Sequence, residues 1–205
     1  MKIKVKNLGL THYEDVWLGM RNFVAGNPEQ SEIWITEHHP IYTIGLNKKG
    51  LTLPKKSTIN HIYVDRGGKI TYHGPGQIII YPLINLKNYK ITIKEFVSLL
   101  EGSIMQFLEK LGIASHKKKD APGVYIGDSK IASIGLRLKN HFTYHGLSLN
   151  MRMDLSPFNA IDPCGFKNLA MTQLSFFNND YTQEQCAKSI IDLFQHNLEK
   201  YYEQS

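Results

Sequence analysis

The sequence predicts a domain of mixed α and β structure, and two observations carry that prediction. Thr11 to Glu14 and Thr92 to Glu95 are capping boxes, each opening a segment whose apolar residues recur at helical spacing. Short extended runs lie between the helical segments, divided by glycine, proline and asparagine turns and densest from Gly123 to Asn150. With 205 residues, 42% of them hydrophobic and 20% charged, the chain has the composition of a globular protein with one packed core. A single domain over residues 1–205 is expected.

Met1 to Lys6 alternates charged with apolar residues and reads as an edge strand, without the continuous apolar run of a signal peptide. The first helix is expected over Thr11 to Ala25, with Val16, Trp17, Met20, Phe23 and Val24 on its apolar face, and Asn27-Pro28 ends it. Glu32 to Thr36 alternates as a strand does. His38 and His39 follow and point to opposite faces if extended, which argues against a metal site built from that pair. Ile41 to Leu46 is a further short strand, residues 47 to 60 a polar connection, and His61 to Val64 another strand candidate.

The stretch from Asp65 to Gln77 holds two glycine clusters, Gly67-Gly68 and Gly74-Pro75-Gly76, around Arg66, Thr71, Tyr72 and His73. It reads as a shaped loop that lines a pocket, with Arg66 facing a polar or anionic ligand and Tyr72 and His73 as wall. The strand after it, Ile78 to Leu86, contains Pro82, which suggests an edge position or a bulge. A second helix starts at Thr92, carries Phe96, Val97, Leu99, Leu100, Ile104, Phe107, Leu108 and Leu111 on its inner face, and stops at Gly112. Strands are expected at Gly123 to Ile126, Lys130 to Leu138 and Phe142 to Asn150, with Gly127-Asp128 as a tight hairpin. Met151 to Asn168 is irregular, and a last helix runs from about Thr182 to Tyr202. Cys186 lies beside its buried stripe and reads as a small buried hydrophobe.

No run approaches the roughly 18 apolar residues of a membrane span, so a cytoplasmic protein without membrane contact is expected. Two cysteines make no disulfide framework and are expected as thiols. The net charge of +6 favours acidic partners without choosing among them. Lys117 to Lys119 reads first as a solvated face and second as a docking patch.

Cys164 differs from Cys186. It stands between Pro163 and Gly165 on a loop, where a nucleophilic thiol would be placed, and a neighbouring cation would raise its thiolate fraction. The candidate cation is Lys130, which precedes the small apolar run Ile131 to Gly135 and is expected half-buried at a pocket rim.

Taken together, Arg66-Gly67-Gly68-x-x-Thr71-Tyr72-His73-Gly74-Pro75-Gly76-Gln77, Lys130 to Arg137, Tyr144 to Asn150, Asp154 to Phe158 and Pro163-Cys164-Gly165 closely resemble the octanoyltransferase family of lipoate biosynthesis. The resemblance covers about Glu32 to Leu174, five blocks in the same order. It implies an α/β (α+β) fold shared with biotin and lipoate protein ligase catalytic domains, at about residues 28–205, with a mixed, largely antiparallel sheet flanked by helices. It further implies Cys164 as acyl-thioester nucleophile and Lys130 as the residue that tunes it. Arg66, Gly67, Gly68, Lys69, Ile70, Thr71, Tyr72, His73, Ser133, Ile134, Gly135, Gly146, Leu147 and Ser148 would line the substrate site. The chain departs from the family pattern at His39, Ser133 and Ser148, positions that bear on the shape of the acyl tunnel.

On this resemblance, octanoyl arrives on the phosphopantetheine of acyl carrier protein and leaves on a lysine of lipoyl domains of 2-oxoacid dehydrogenases or of the glycine cleavage H protein. Neither ATP nor metal is required, and a monomer is expected. The competing readings are an ATP-dependent lipoate or biotin ligase on the same fold, a basic nucleic-acid-binding module, whose interleaved aromatic and basic motif is missing here, and a metal enzyme using His141 and His145. Those two histidines would lie some 13 Å apart along a strand, which makes the last the weakest.

Overall fold

The computed structural model describes residues 3–51, 53–54, 58–119, 121–162 and 169–204. Strand β1 (Lys4–Thr11) leads into helix α1 (Tyr13–Ala25), followed by β2 (Glu32–His38), β3 (Ile41–Ile44), β4 (His61–Tyr63), β5 (Ile70–His73) and β6 (Gln77–Leu83). Helix α2 (Ile93–Lys110) precedes β7 (His116–Lys118), β8 (Ala121–Ile126), β9 (Ser129–Lys139) and β10 (Phe142–Asn150), and helix α3 (Gln183–Glu203) follows a connection that carries short 3-10 turns. Among the described residues the larger sheet has seven strands in the order β1-β2-β6-β10-β9-β8-β7, and a smaller one has three, β4-β3-β5. In the larger sheet only β1 and β2 are parallel; every other neighbouring pair is antiparallel.

Alternation along β6 shows how the larger sheet is buried on both faces. Ile78 and Ile80 pack with Phe96, Leu100, Ile104 and Phe107 of α2 and with Ile190 and Phe194 of α3. Ile79 and Tyr81 pack on the opposite face with Val16, Met20 and Val24 of α1. A third cluster, Tyr42, Ile44, Ile70, Tyr72, Met153, Phe158 and Ile161, lies against the smaller sheet.

Several expectations change. Thr11 caps no helix: it ends β1, where its hydroxyl meets Thr36 Oγ1 at 2.8 Å, and α1 begins at Tyr13 with no side-chain cap. The first strand, Lys4–Thr11 among the described residues, accordingly continues past Lys6 to Thr11, and it lies at the sheet edge as expected. The stretch read as one glycine loop contains a buried strand, β5, because Ile70–His73 pairs with β3 in full register from Ile41↔His73 to Ile44↔Ile70. The lysine run after α2 includes edge strand β7, in which Lys118 Nζ sits 4.6 Å from the ring centre of Tyr125.

Pro82 occupies neither an edge nor a bulge of its own strand, since β6 lies between β2 and β10 and Pro82 pairs with Ile33. The partner strand absorbs its missing N–H instead. The β6 to β10 ladder runs from Asn150↔Gln77 to Leu147↔Ile80, and the same register resumes where Thr143 N donates to Ile84 O at 2.9 Å. The residue opposite Pro82 is therefore His145, which takes a left-handed φ of 56°. Beside it Gly146 comes so close to β6 that a Cβ would lie 2.1 Å from Ile80 O.

Helix α2 keeps its expected capping box: Thr92 accepts from Glu95 N, and Glu95 accepts from Thr92 N at 2.9 Å. Thr92→Ala is expected to cost about 1 kcal/mol by urea denaturation, with activity unchanged.

Candidate active site

Beside α1, a cavity opens between the larger sheet and the segment that joins β4 to β5. About 50 Å³ of it admits the centre of a water-sized sphere, and its total empty space, open solvent included, is about 480 Å³. The roof is residues 66–71, with His73. The floor is Ile79 and Tyr81 of β6, residues 145–148 of β10 and residues 133–135 of β9, and Tyr13 of α1 forms a wall. Gly135 lets floor and roof meet, because a Cβ there would sit 3.1 Å from Gly67 O. Gly67 N in turn donates to Leu136 O at 2.9 Å, which ties the roof to β9.

Arg66 is buried, and its side chain holds the roof to β3. Nη2 donates to Thr43 O at 2.7 Å and to Thr43 Oγ1 at 2.8 Å, Nε donates to Thr43 Oγ1 at 3.2 Å, and Nη1 donates to Gly67 O at 2.9 Å. Its guanidinium thus holds together the segments that shape the cavity while also lining it. Tyr72 is the predicted site residue that faces away. Its ring lies 5.6 Å from that of Tyr42 and 5.5 Å from that of Phe158, on the far side of β5.

At the inner end of the cavity lies a set of polar groups, buried except for the partly exposed Asp65 and Trp17. Asp65 accepts from Trp17 Nε1 at 2.9 Å, from Tyr144 OH at 2.5 Å and from His145 Nε2 at 2.9 Å. With Nε2 donating, His145 Nδ1 accepts from Tyr13 OH at 3.1 Å. Gln77 donates to Asn150 Oδ1 at 2.9 Å, so its Oε1 accepts from His73 Nδ1 at 2.7 Å. His38 pairs with Tyr81 OH at 2.7 Å.

Burial sets the charge of this cluster. It lowers His73 to about 3, with neighbouring His38 adding to the effect, and lowers His38 to about 4. It also lowers His145, against the pull of Asp65. Burial opposes ionisation of Asp65 too, but the hydrogen bonds from His145, Tyr144 and Trp17 outweigh it and hold the carboxyl well below its ordinary range. Tyr13 and Tyr81 are raised by burial and stay protonated. The histidines and tyrosines of the wall are therefore uncharged near neutral pH, and the charges around the cavity are the Asp65 carboxylate and, in the roof, Arg66 and Lys69.

The cavity thus has glycines in its floor and a roof pinned by arginine. Residues 15–195 match the family described as lipoyl protein ligase A/B catalytic domain. The octanoyltransferase of Shewanella woodyi is 41% identical over 198 residues, spanning 96% of this chain and 90% of that protein. That of Klebsiella pneumoniae is 43% identical over 192 residues, spanning 93% and 90%. The chain belongs to the octanoyltransferase family. Its fold is that of lipoate-protein ligase A, whose crystal structure with bound ATP superposes with a TM-score of 0.79 at 13% identity, over 97% of this chain and 86% of that one. The expectation of a lipoate ligase-like fold with a mixed, largely antiparallel sheet holds, and the protein is an acyltransferase by family.

Of the two catalytic candidates in this octanoyltransferase, Cys164 lies outside the described residues. Lys130 is fully buried, not half-buried as expected, because Gly123 leaves it a slot: a Cβ at Gly123 would lie 2.5 Å from Lys130 Cε and 3.1 Å from Nζ. The Tyr125 ring centre lies 5.3 Å from that Nζ. Its backbone is bracketed by the returning chain, since Lys130 N donates to Ala170 O at 2.8 Å and Thr172 N donates to Lys130 O at 3.0 Å. Cys186 is buried in α3, and burial pushes its thiol up to about 11, as suits a small hydrophobe. Among the described residues no cluster of three or more His, Cys, Asp or Glu could hold a metal, and no helix is long and apolar enough to cross a membrane. His141 is exposed in a turn while His145 is buried on Asp65, so those two histidines share no site.

Sequence reasoning put Asp65 in the pocket-lining stretch and His145 in a block that carries the resemblance, but gave neither a role of its own, and it missed Tyr13 altogether. Tyr13 and His145 are 132 residues apart, so no local pattern joins them.

The buried histidines make a pH prediction. In the unfolded chain they titrate near 6.5, and in the folded chain His73 and His38 titrate at about 3 and about 4, so the unfolded state binds more protons below 6.5. Stability is then full above that pH and falls toward pH 4, by up to about 1.4 kcal/mol per pH unit for each histidine. Urea midpoints should drop clearly between pH 7.5 and 5, and a flat profile would show that these rings accept protons without unfolding.

Proposed function

We propose that this protein moves an octanoyl group from acyl carrier protein to the ε-amine of a lysine on a lipoyl domain, by way of a thioester on Cys164. The observation that supports this most directly is the bracketing of Lys130 by Ala170 and Thr172. Cys164 stands six positions before Ala170, a stretch that spans at most about 22 Å, which allows the thiol to reach the buried ammonium. The slender glycine-floored cavity that starts three residues further along β9, at Ser133, suits an unbranched chain better than a bulky ring.

The reaction has two balanced halves. The Cys164 thiolate attacks the carbonyl carbon of the incoming thioester, the new C–S bond forms, and the C–S bond to the carrier's phosphopantetheine breaks and leaves a thiolate that takes a proton. The acceptor amine then attacks the Cys164 thioester, an amide C–N bond forms, and the C–S bond to Cys164 breaks. The proton lost from the amine ends on the departing sulfur. In the first half the Lys130 ammonium favours the thiolate, and in the second it relays the amine's proton. The exchange of one thioester for another is nearly balanced, so the chemistry needs neither ATP nor a metal.

The acyl group's handlers are acidic partners steered by the net charge of +6. Acyl carrier protein and the lipoyl domains of 2-oxoacid dehydrogenases or the glycine cleavage H protein fit that description.

Mixing the protein with octanoyl-loaded carrier protein should give an octanoyl adduct on Cys164 by mass spectrometry, absent in Cys164→Ala and formed at least 100-fold more slowly in Lys130→Met. An undiminished adduct in Cys164→Ala would sink the mechanism, and a strict requirement for ATP would replace it with a ligase reaction through an acyl-adenylate. Separately, transfer rates should fall as salt rises from about 20 to about 300 mM, where screening shortens the reach of surface charge; salt-independent rates would rule out docking by charge.

A further inference from the structure

One register row crosses the cavity floor: Ile79 on β6, Ser148 on β10, Ser133 on β9 and Gly123 on β8. Neighbouring strands lie about 4.8 Å apart, so Ser133 stands about 5 Å and Ser148 about 10 Å from Gly123. Gly123 is the glycine against which the Lys130 ammonium packs. Directly opposed residues of an antiparallel pair put their side chains on the same face, and here it is the face under the roof, because both serines line the cavity.

Neither serine hydroxyl has a hydrogen-bond partner among the described residues. Since no buried side-chain polar atom among them is left unpaired, both hydroxyls open onto the cavity. The larger polar groups around them are engaged: Tyr13 with His145, Tyr81 with His38, His73 with Gln77 and Arg66 with Thr43. Two adjacent hydroxyls, in a floor whose other polar side chains, Tyr81 and His145, are already hydrogen-bonded, are thus available to a ligand. Each can donate and accept.

We propose that Ser133 and Ser148 form a hydrogen-bonding subsite for an oxygen atom carried on the acyl chain near its thioester end, so that the cavity accepts 3-hydroxyacyl and 3-oxoacyl groups as well as saturated ones. The proposal rests on the acyl-transfer reading above, which sets the thioester beside Lys130 and runs the chain along the row toward Ile79. A saturated chain laid over the pair takes two hydroxyls out of water and returns nothing to them. An oxygen on the third carbon replaces the lost partner, and sites built around a hydrogen bond discriminate by that difference.

The test uses the full chain with carrier protein loaded with octanoyl or with 3-hydroxyoctanoyl, an acceptor lipoyl domain, and mass spectrometry to read kcat/KM for each acyl group. The unaltered protein should transfer both at comparable rates. Ser133→Ala and Ser148→Ala should each lower the ratio of hydroxyacyl to saturated transfer about tenfold, with melting temperatures unchanged. Transfer of octanoyl but not of the hydroxyacyl group by the unaltered protein would overturn the subsite, as would a ratio unmoved by both substitutions. Failure to transfer either group would overturn the acyl-transfer reading itself. Should a doubly substituted chain fail to fold, the two single variants decide.

Discussion

The site depends on a missing hydrogen. Pro82 has no N–H to give, yet it stands in an interior strand, where a ladder bond is otherwise obligatory. The strand beside it opens at His145 and closes again at Thr143 without losing register. That opening accounts for the left-handed backbone of His145, which carries its ring to Asp65 and Tyr13. It leaves Gly146 pressed against β6 with no side chain to fill the floor. Had residue 82 been a valine, the ladder could run through and the histidine would be an ordinary strand residue.

Around this break the protein separates two kinds of polarity. The histidines and tyrosines at the inner end are buried and satisfied, and burial keeps them neutral, so they give the cavity shape and a fixed pattern of hydrogen bonds without a field of their own. The two charges that remain are both committed: Asp65 to three donors, Arg66 to Thr43 and Gly67. Lys130 is kept apart from that cluster, in a slot made by Gly123 and Tyr125. The cations that line the cavity, Arg66 and Lys69, both belong to its roof, and its floor carries none.

What could be read in advance follows the range of the interactions involved. The capping box at Thr92, the apolar stripe of α2 and the strands of the β8 to β10 meander are encoded within a dozen residues, and they stand close to where the sequence puts them. The opposite orientations of His38 and His39 were legible because strand parity is local; one is buried and the other exposed. Ile70–His73 was read as loop because glycines surround it, and only its pairing with β3 makes it a strand. Thr11 misled for the same reason: the motif permits a cap, but the neighbouring strand offered its hydroxyl Thr36 instead. Asp65, Tyr13 and His145 come from three distant parts of the chain, and nothing short of the fold brings them together.

That distance has a consequence for how the protein comes into being. The cavity draws on Tyr13 from the first helix, on the roof near residue 66, on β6, and on β9 and β10 some eighty residues later. A nascent chain that has emerged only as far as α2 has the roof and one strand of the floor but neither of the serine-bearing strands. Contacts of such long range form late. Residue 164 is made after every strand of that floor, so it joins the chain only once all the segments that line the cavity are already available to fold.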